Sequence, residues 1–130
     1  MAFATALHER LPARARSVPL LRRAVDEFAA ACGASDRQRS AIALAVSEAV
    51  GNVVVHAYIG CEVLGDVEVD AQMRAGMLQV TVCDEGVGMH PRLDSPGAGL
   101  GLGLITSISD DFELAELEPG VCVRMTFAVG

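Results

Sequence analysis

Glu48 and Asn52 are the residues of this sequence whose types and spacing are best suited to chemistry. They lie four positions apart in the segment SEAVGNVVVHAY, which has the pattern of a helix, so both side chains project from one face, one turn apart. Glu48 is the only formally charged residue from Ser40 to His56. A carboxylate on so apolar a helix is costly to bury unless it is paired or coordinates something. The pair predicts either a ligand at this face or a satisfied polar pair in the core.

A second candidate is the carboxylate of Asp84, which ends a predicted strand and is followed by Gly86 and Gly88. A carboxylate in this place can accept a hydrogen bond from a planar donor, such as the amino group of a purine. The glycines let the backbone turn and approach a ligand closely. The alternative is an ordinary Asp-Glu-Gly turn, and the motif alone does not separate the two.

The third candidate is the glycine-rich segment GAGLGLG at residues 97–103, which opens a predicted short helix. Its glycines free successive backbone N–H groups to face an anion, and the positive end of the helix dipole adds to them. Such a phosphate site needs no lysine, and the chain has none. The alternative is a flexible hinge, because the segment lacks the βαβ setting of a dinucleotide-binding fingerprint.

The composition describes one soluble domain over residues 1–130. Apolar residues make up 52% of the chain and charged residues 21%, enough for a core at this length. A net charge of −7 leaves no basic stripe for nucleic acid, so we expect protein or small-molecule partners. The N-terminus does not show a charged start followed by an apolar run, so we expect no leader. No stretch reaches about 20 apolar residues, so we expect no membrane span. The expected location is cytoplasmic.

The four cysteines are widely spaced and form no CxxC pair. Cys32, Cys61, Cys83 and Cys122 are therefore expected to be reduced and mostly in the core. This spacing disfavours both zinc and disulfides.

The elements that must position the three motifs follow from hydrophobic periodicity and turn residues. They are predicted as an edge strand at 3–11, helices at 18–32 and from Ser35 or Asp36 to His56, strands at 67–73 and 78–84, a short helix at 102–109, and strands at 112–117 and 121–129. Since tight turns join most neighbouring strands, we expect an α+β fold. It is a two-layer α/β sandwich with a mixed, mainly antiparallel sheet and helices on one face.

In this order, the three motifs resemble the N, G1 and G2 boxes of the GHKL, or histidine-kinase-like, ATPase superfamily. The forms SEAVGNVVVHAY and GLGLGL are most similar to the anti-sigma factor serine/threonine kinases of bacterial partner switching. The resemblance covers nearly the whole chain. It implies a Bergerat-type ATP-binding fold that holds ATP and Mg²⁺ between the N-box helix and a covering loop.

The resemblance also implies a role for each matching residue. Glu48 would be the general base for a serine hydroxyl of an anti-anti-sigma partner, and Asn52 the magnesium ligand. Asp84 would contact adenine, while Gly86 and Gly88 shape its pocket. The phosphates would be cradled by Gly99, Leu100, Gly101 and Leu102.

The sequence departs from the superfamily pattern at three places. The lid between Gly88 and Gly101 is short, Val121 stands where a threonine often supports the adenine-binding aspartate, and Gly103 softens the start of the phosphate-binding helix. Arg22 falls where relatives present a partner-facing arginine, although an exposed arginine without a role explains it as well.

Two functions remain open at this point. The first is an ATP-dependent serine/threonine kinase that phosphorylates an anti-anti-sigma protein and sequesters a sigma factor. The second is a non-catalytic ATP-binding regulatory module that binds proteins according to the nucleotide. A detached histidine kinase domain is disfavoured because no heptad-bearing dimerisation helix precedes the N box. The resemblance also implies a homodimer, which no exposed apolar stripe of the sequence establishes.

Overall fold

The computed structural model describes residues 6–86, 102–117 and 119–129. Along the chain these form β1 (Ala6–Pro12), α1 (Ser17–Ala31), α2 (Asp36–Asn52), a π-helical turn (Val53–Ala57), β2 (Asp66–Arg74), β3 (Met77–Asp84), α3 (Leu102–Ile108), β4 (Asp111–Glu116) and β5 (Val121–Ala128). The predicted order of helices and strands is confirmed.

The five strands form one sheet in the order β1-β2-β3-β5-β4. Along β2, β3 and β5 buried residues alternate with more exposed ones, so one face of the sheet is buried beneath the helices. This is the expected two-layer α+β sandwich. Every pairing in this sheet is antiparallel, whereas the sequence suggested a mixed sheet. The reason is the position of β5, which lies between β3 and β4 and separates the two strands that run in the same direction.

The N-terminus of α2 is fixed by a capping box. The Ser35 hydroxyl accepts a hydrogen bond from the backbone N–H of Gln38 at 3.2 Å, and the Gln38 side chain accepts one from the N–H of Ser35 at 2.7 Å. Arg39, one residue further on, donates two hydrogen bonds to the carboxylate of Asp26 on α1, at 3.0 and 2.9 Å. These contacts set the start of the helix that carries Glu48 and Asn52.

One side of α2 faces the core. Ile42, Val46 and Val50 are fully buried, and Val53 in the π-turn is 2% exposed. Residues 36–57 are long and apolar enough to pass a length-and-composition test for a membrane span, and 39% of the tested window is buried in the protein. The core helix of a globular domain passes the same test, because its apolar side faces the sheet.

The prediction of four reduced cysteines is wrong. Cys83 on β3 and Cys122 on β5 form a disulfide, although 39 residues separate them in sequence. They are directly opposite partners in the antiparallel register, and both belong to the alternating set of residues that points away from the helices. Sequence spacing could not show this, because strand order brings them together. Cys32 and Cys61 are free, and Cys61 is exposed rather than part of the core.

Candidate functional site

The predicted site residues lie on two elements whose ends meet. Glu48 and Asn52 are one turn apart near the end of α2, and Asn52 is 9% exposed while Glu48 is half-buried. Asp84 ends β3 and is 4% exposed, with Gly86 two residues beyond it. The π-turn that follows Asn52 packs against the chain that follows Asp84. The structure therefore places the N-box helix beside the end of the strand that carries the aspartate.

The carboxylate of Asp84 has one satisfied oxygen and one that is not. Its Oδ1 accepts a hydrogen bond from the backbone N–H of Gly86 at 2.9 Å. Its Oδ2 is buried and has no hydrogen-bond partner among the described residues. Burial raises the pKa of Asp84 above its ordinary value, although the backbone N–H groups of Gly86 and Val121 act in the opposite direction. A buried acceptor without a partner is rare in folded proteins, and this one is suited to a hydrogen-bond donor on a ligand.

Gly86 is required by close packing. A Cβ atom at this position would overlap the carbonyl group of Ala57, the last residue of the π-turn. The backbone after Asp84 can lie directly against the π-turn because Gly86 has no side chain. Gly86 therefore has a packing role in the fold, which the sequence did not show.

Gly120 is a second glycine on which the site depends, and the sequence indicated only a turn there. Its φ is +106°, and a Cβ atom would overlap the carbonyl of Asp84. The turn before β5 therefore packs against the backbone of the aspartate. A Pro-Gly turn between two strands carries no sign of such a contact, which depends on the β3–β5 pairing.

Tyr58 joins three parts of the site, a role that the sequence did not reveal. Its hydroxyl donates a hydrogen bond to the carbonyl of Asp66 at 2.5 Å and accepts one from the N–H of Glu85 at 3.1 Å. Burial raises the pKa of the Tyr58 phenol, which keeps the donating proton in place at neutral pH. Its ring occupies the space beside Gly65, where a Cβ would overlap it. The tyrosine therefore ties the end of the π-turn to the start of β2 and to the segment after Asp84.

The helix expected to run to His56 changes its form after Asn52. The next five residues form a π-helical turn, a feature that is rare and often found at functional sites. Val53, Val54 and Val55 are all β-branched, which lowers their preference for an α-helix. His56, half-buried within this turn, has no assigned role.

Several predicted residues fall elsewhere. Gly88, Gly99, Leu100 and Gly101 lie outside the described residues. The backbone of Leu102 begins α3. Arg22 is exposed on α1, where it lines an open groove of about 680 Å³ between α1 and α2. Among the described residues, no group of three or more His, Cys, Asp or Glu side chains could hold a metal ion.

Comparison with known proteins shows the family of the chain. Residues 11–127 match the family described as "Histidine kinase-like ATPase domain". The chain is 33% identical to the serine-protein kinase RsbW of Listeria innocua, over 90% of this chain and 83% of the relative. It is 29% identical to RsbW of Staphylococcus aureus, over 90% and 82% respectively. The anti-sigma F factor of Caldanaerobacter subterraneus is 33% identical, over 84% of this chain and 83% of the relative.

A solved structure shows the same fold. The crystal structure of the RsbU and RsbW domains of a Mycobacterium tuberculosis protein superimposes with a TM-score of 0.79 at 24% identity. The match covers 98% of this chain and 33% of the solved chain, so the present chain spans about a third of that protein. At this identity the likeness concerns the fold alone.

We expect Gly86→Ala to lower the free energy of unfolding by about 2 kcal/mol or more, because the new methyl group overlaps the backbone of Ala57. Gly51→Ala is the matched control. A Cβ at Gly51 meets no atom within 4 Å outside its own helix, so this change should stabilise α2 by up to about 1 kcal/mol. Urea denaturation of both variants measures the two effects. Equal stabilities would contradict the close packing of Gly86.

Asp84→Asn should make the protein without ligand more stable at pH 7, by roughly 1 kcal/mol, because it removes a buried charge. The folded-state pKa of Asp84 is raised, so its cost to stability is absent below the ordinary value of 3.8 and grows as pH rises through the raised pKa. The advantage of the variant should therefore shrink towards zero near pH 4. Denaturation of both proteins between pH 4 and pH 7 tests this, and an advantage that stays constant would refute it.

Proposed function

Because this chain belongs to the histidine kinase-like ATPase family, with RsbW and anti-sigma F factor among its relatives, we propose that it is an ATP-dependent serine/threonine protein kinase and anti-sigma factor. It phosphorylates an anti-anti-sigma protein and sequesters a sigma factor in the cytoplasm. The observation that carries the proposal is the buried Oδ2 of Asp84 at the end of β3, which has no hydrogen-bond partner in the ranges 6–86, 102–117 and 119–129. A scaffold without a ligand gives no reason to keep that group.

Asp84 recognises the adenine ring in this proposal. Its free Oδ2 accepts a hydrogen bond from the exocyclic amino group, while the N–H of Gly86 holds Oδ1 in place. Burial strengthens this contact, because a hydrogen bond in a low-dielectric environment competes less with water. Gly86 lets the backbone after Asp84 pack against Ala57, and Gly88 is proposed to shape the adenine pocket.

The phosphates belong to the glycine-rich segment and to Asn52. In this proposal the phosphates accept hydrogen bonds from the backbone N–H groups of Gly99, Leu100, Gly101 and Leu102. Mg²⁺ binds through few protein oxygens and keeps phosphate and water ligands, so the carboxamide oxygen of Asn52 suits it without a cluster of carboxylates. When bound, the ion neutralises the charge that develops on the transferred phosphoryl group.

Glu48 is the general base. It lies one turn before Asn52 on the same face of α2, and it is half-buried, so a substrate hydroxyl can approach it. Its carboxylate accepts the proton of a partner serine as the oxygen attacks the terminal phosphate. The spacing of the two residues thus places proton acceptance next to phosphate binding.

The partner proteins are proposed to bind across α1 and α2. Arg22 is exposed there, and the groove beside it is lined by charges of both signs, including Arg23, Asp26, Asp36 and Arg39. A mixed surface of this kind suits a protein better than a polyanion, in agreement with the net charge of −7. Homodimer formation stays a prediction.

Single-turnover phosphorylation of an anti-anti-sigma protein from the same organism tests the proposal. Glu48→Ala should slow phosphoryl transfer by about 100-fold or more, the usual contribution of a general base. Asn52→Ala should slow it at least as much, because positioning and charge neutralisation dominate this chemistry. Glu116→Gln, which changes an exposed carboxylate on β4, is the matched control and should remain active.

A fully active Asn52→Ala protein would refute the assignment of the site. If the wild-type protein binds ATP but transfers no phosphate, the kinase proposal is wrong, and the protein is the non-catalytic ATP-binding module.

A further inference from the structure

We propose that Cys83 and Cys122 form a reversible dithiol–disulfide couple whose oxidation state controls how tightly the adenine site binds nucleotide. The two sulfur atoms are bonded across β3 and β5. The next pair in the same register is Asp84 and Val121. The control of nucleotide affinity rests on the proposed ATP site, whereas the existence of the couple does not.

The disulfide is placed where small reagents can reach it. Both cysteines are half-buried and line an open cavity of about 490 Å³ on the sheet face away from the helices. Asp84 belongs to the buried set of β3 that faces the helices, whereas Cys83 belongs to the opposite set, although Asp84 also borders the cavity. A reductant can therefore approach the sulfur atoms from the face opposite the buried carboxylate.

The charges around the cavity disfavour the approach of an anionic reagent. The charged residues that line the cavity are Asp66, Glu68, Asp84, Glu85 and one cation, Arg10. That guanidinium is already paired, at 3.0 Å to Asp66 and 3.7 Å to Glu68. A negative surrounding repels anionic thiols. We therefore expect an uncharged dithiol to exchange with this pair faster than glutathione does.

The chemistry is thiol–disulfide exchange with a small-molecule disulfide as the oxidant. The thiolate of one cysteine attacks a sulfur of that disulfide, which forms a mixed disulfide and releases one small thiolate. The second cysteine then attacks the protein sulfur of the mixed disulfide and releases the other small thiolate. The protein loses two electrons and two protons, and the oxidant becomes two thiols. A dithiol reverses both steps.

The pairing of β3 with β5 connects the disulfide to the adenine site. β3 ends at Asp84 and β5 begins at Val121, so this is the terminal pair of the ladder. The backbone N–H of Val121 lowers the pKa of the Asp84 carboxyl, against the larger effect of burial. Gly120 packs against the Asp84 carbonyl. With the disulfide, the adjacent residues are covalently tied and the strand end is held. Without it, only non-covalent contacts keep the ends of the two strands together. We therefore expect the adenine site to be better ordered for binding in the oxidised protein.

The test uses the full chain with Cys32→Ser and Cys61→Ser, which removes the two free cysteines and leaves the pair alone. The protein is equilibrated in buffers of reduced and oxidised dithiothreitol and trapped with N-ethylmaleimide, and mass spectrometry counts the added labels. We expect a single step between no label and two labels. In calorimetry, ATP affinity should fall about fivefold on reduction. With Cys83→Ser added, the affinity should match that of the reduced protein in every buffer.

Three results would count against the proposal. A disulfide that is reduced only when the protein unfolds, as followed by circular dichroism, would overturn the reversible couple. Equal ATP affinity of the oxidised and reduced proteins would overturn the control of binding. ATP binding in neither state would refute the proposed function and the control of binding together, while the label count would still decide whether the couple exists.

Discussion

The buried carboxylate of Asp84, whose Oδ2 meets no donor in the part of the chain that the structure describes, is the constraint on which the rest of the site depends. A buried carboxylate with an unmet acceptor costs on the order of 1 to 3 kcal/mol, a sizeable share of the stability of a small domain. The fold accepts this cost at the end of β3, where the strand leaves the sheet and the chain can turn towards α2. The cost is recovered only when a donor meets the oxygen. The carboxylate thus links the architecture of the sheet to a requirement for a ligand.

The contacts around the aspartate hold its backbone in place, and none of those made by the described residues donates a hydrogen bond to Oδ2. Gly86 lets the following backbone touch the π-turn, and Gly120 lets the turn before β5 touch the aspartate itself. Tyr58 then ties the π-turn, the start of β2 and the chain after Asp84 through one hydroxyl group. These contacts involve backbone atoms, so they fix the position of the carboxylate and leave Oδ2 without a donor among the described residues. The disulfide on the opposite face adds a covalent tie to the same strand end.

The local features of the sequence predicted the local features of the structure. The helices, the strands and their order along the chain were predicted from hydrophobic periodicity and turn residues. The placement of Glu48 and Asn52 on one face of α2 was predicted from their spacing. What depends on strand order was not predictable. Since β5 lies between β3 and β4, the sheet is antiparallel throughout, and Cys83 meets Cys122. The contacts of Gly120 arise from the same pairing, which no spacing along the chain reveals.

Calorimetric titration of ATP into the purified protein, with and without Mg²⁺ and beside the Asp84→Asn variant, tests the central claim most directly. The account predicts magnesium-dependent binding by the wild-type protein and its loss in the variant, because the amide presents a donor where adenine requires an acceptor. Circular dichroism of the variant would verify that it is folded. Binding that survives the substitution unchanged, or no binding by the folded wild-type protein, would contradict the account.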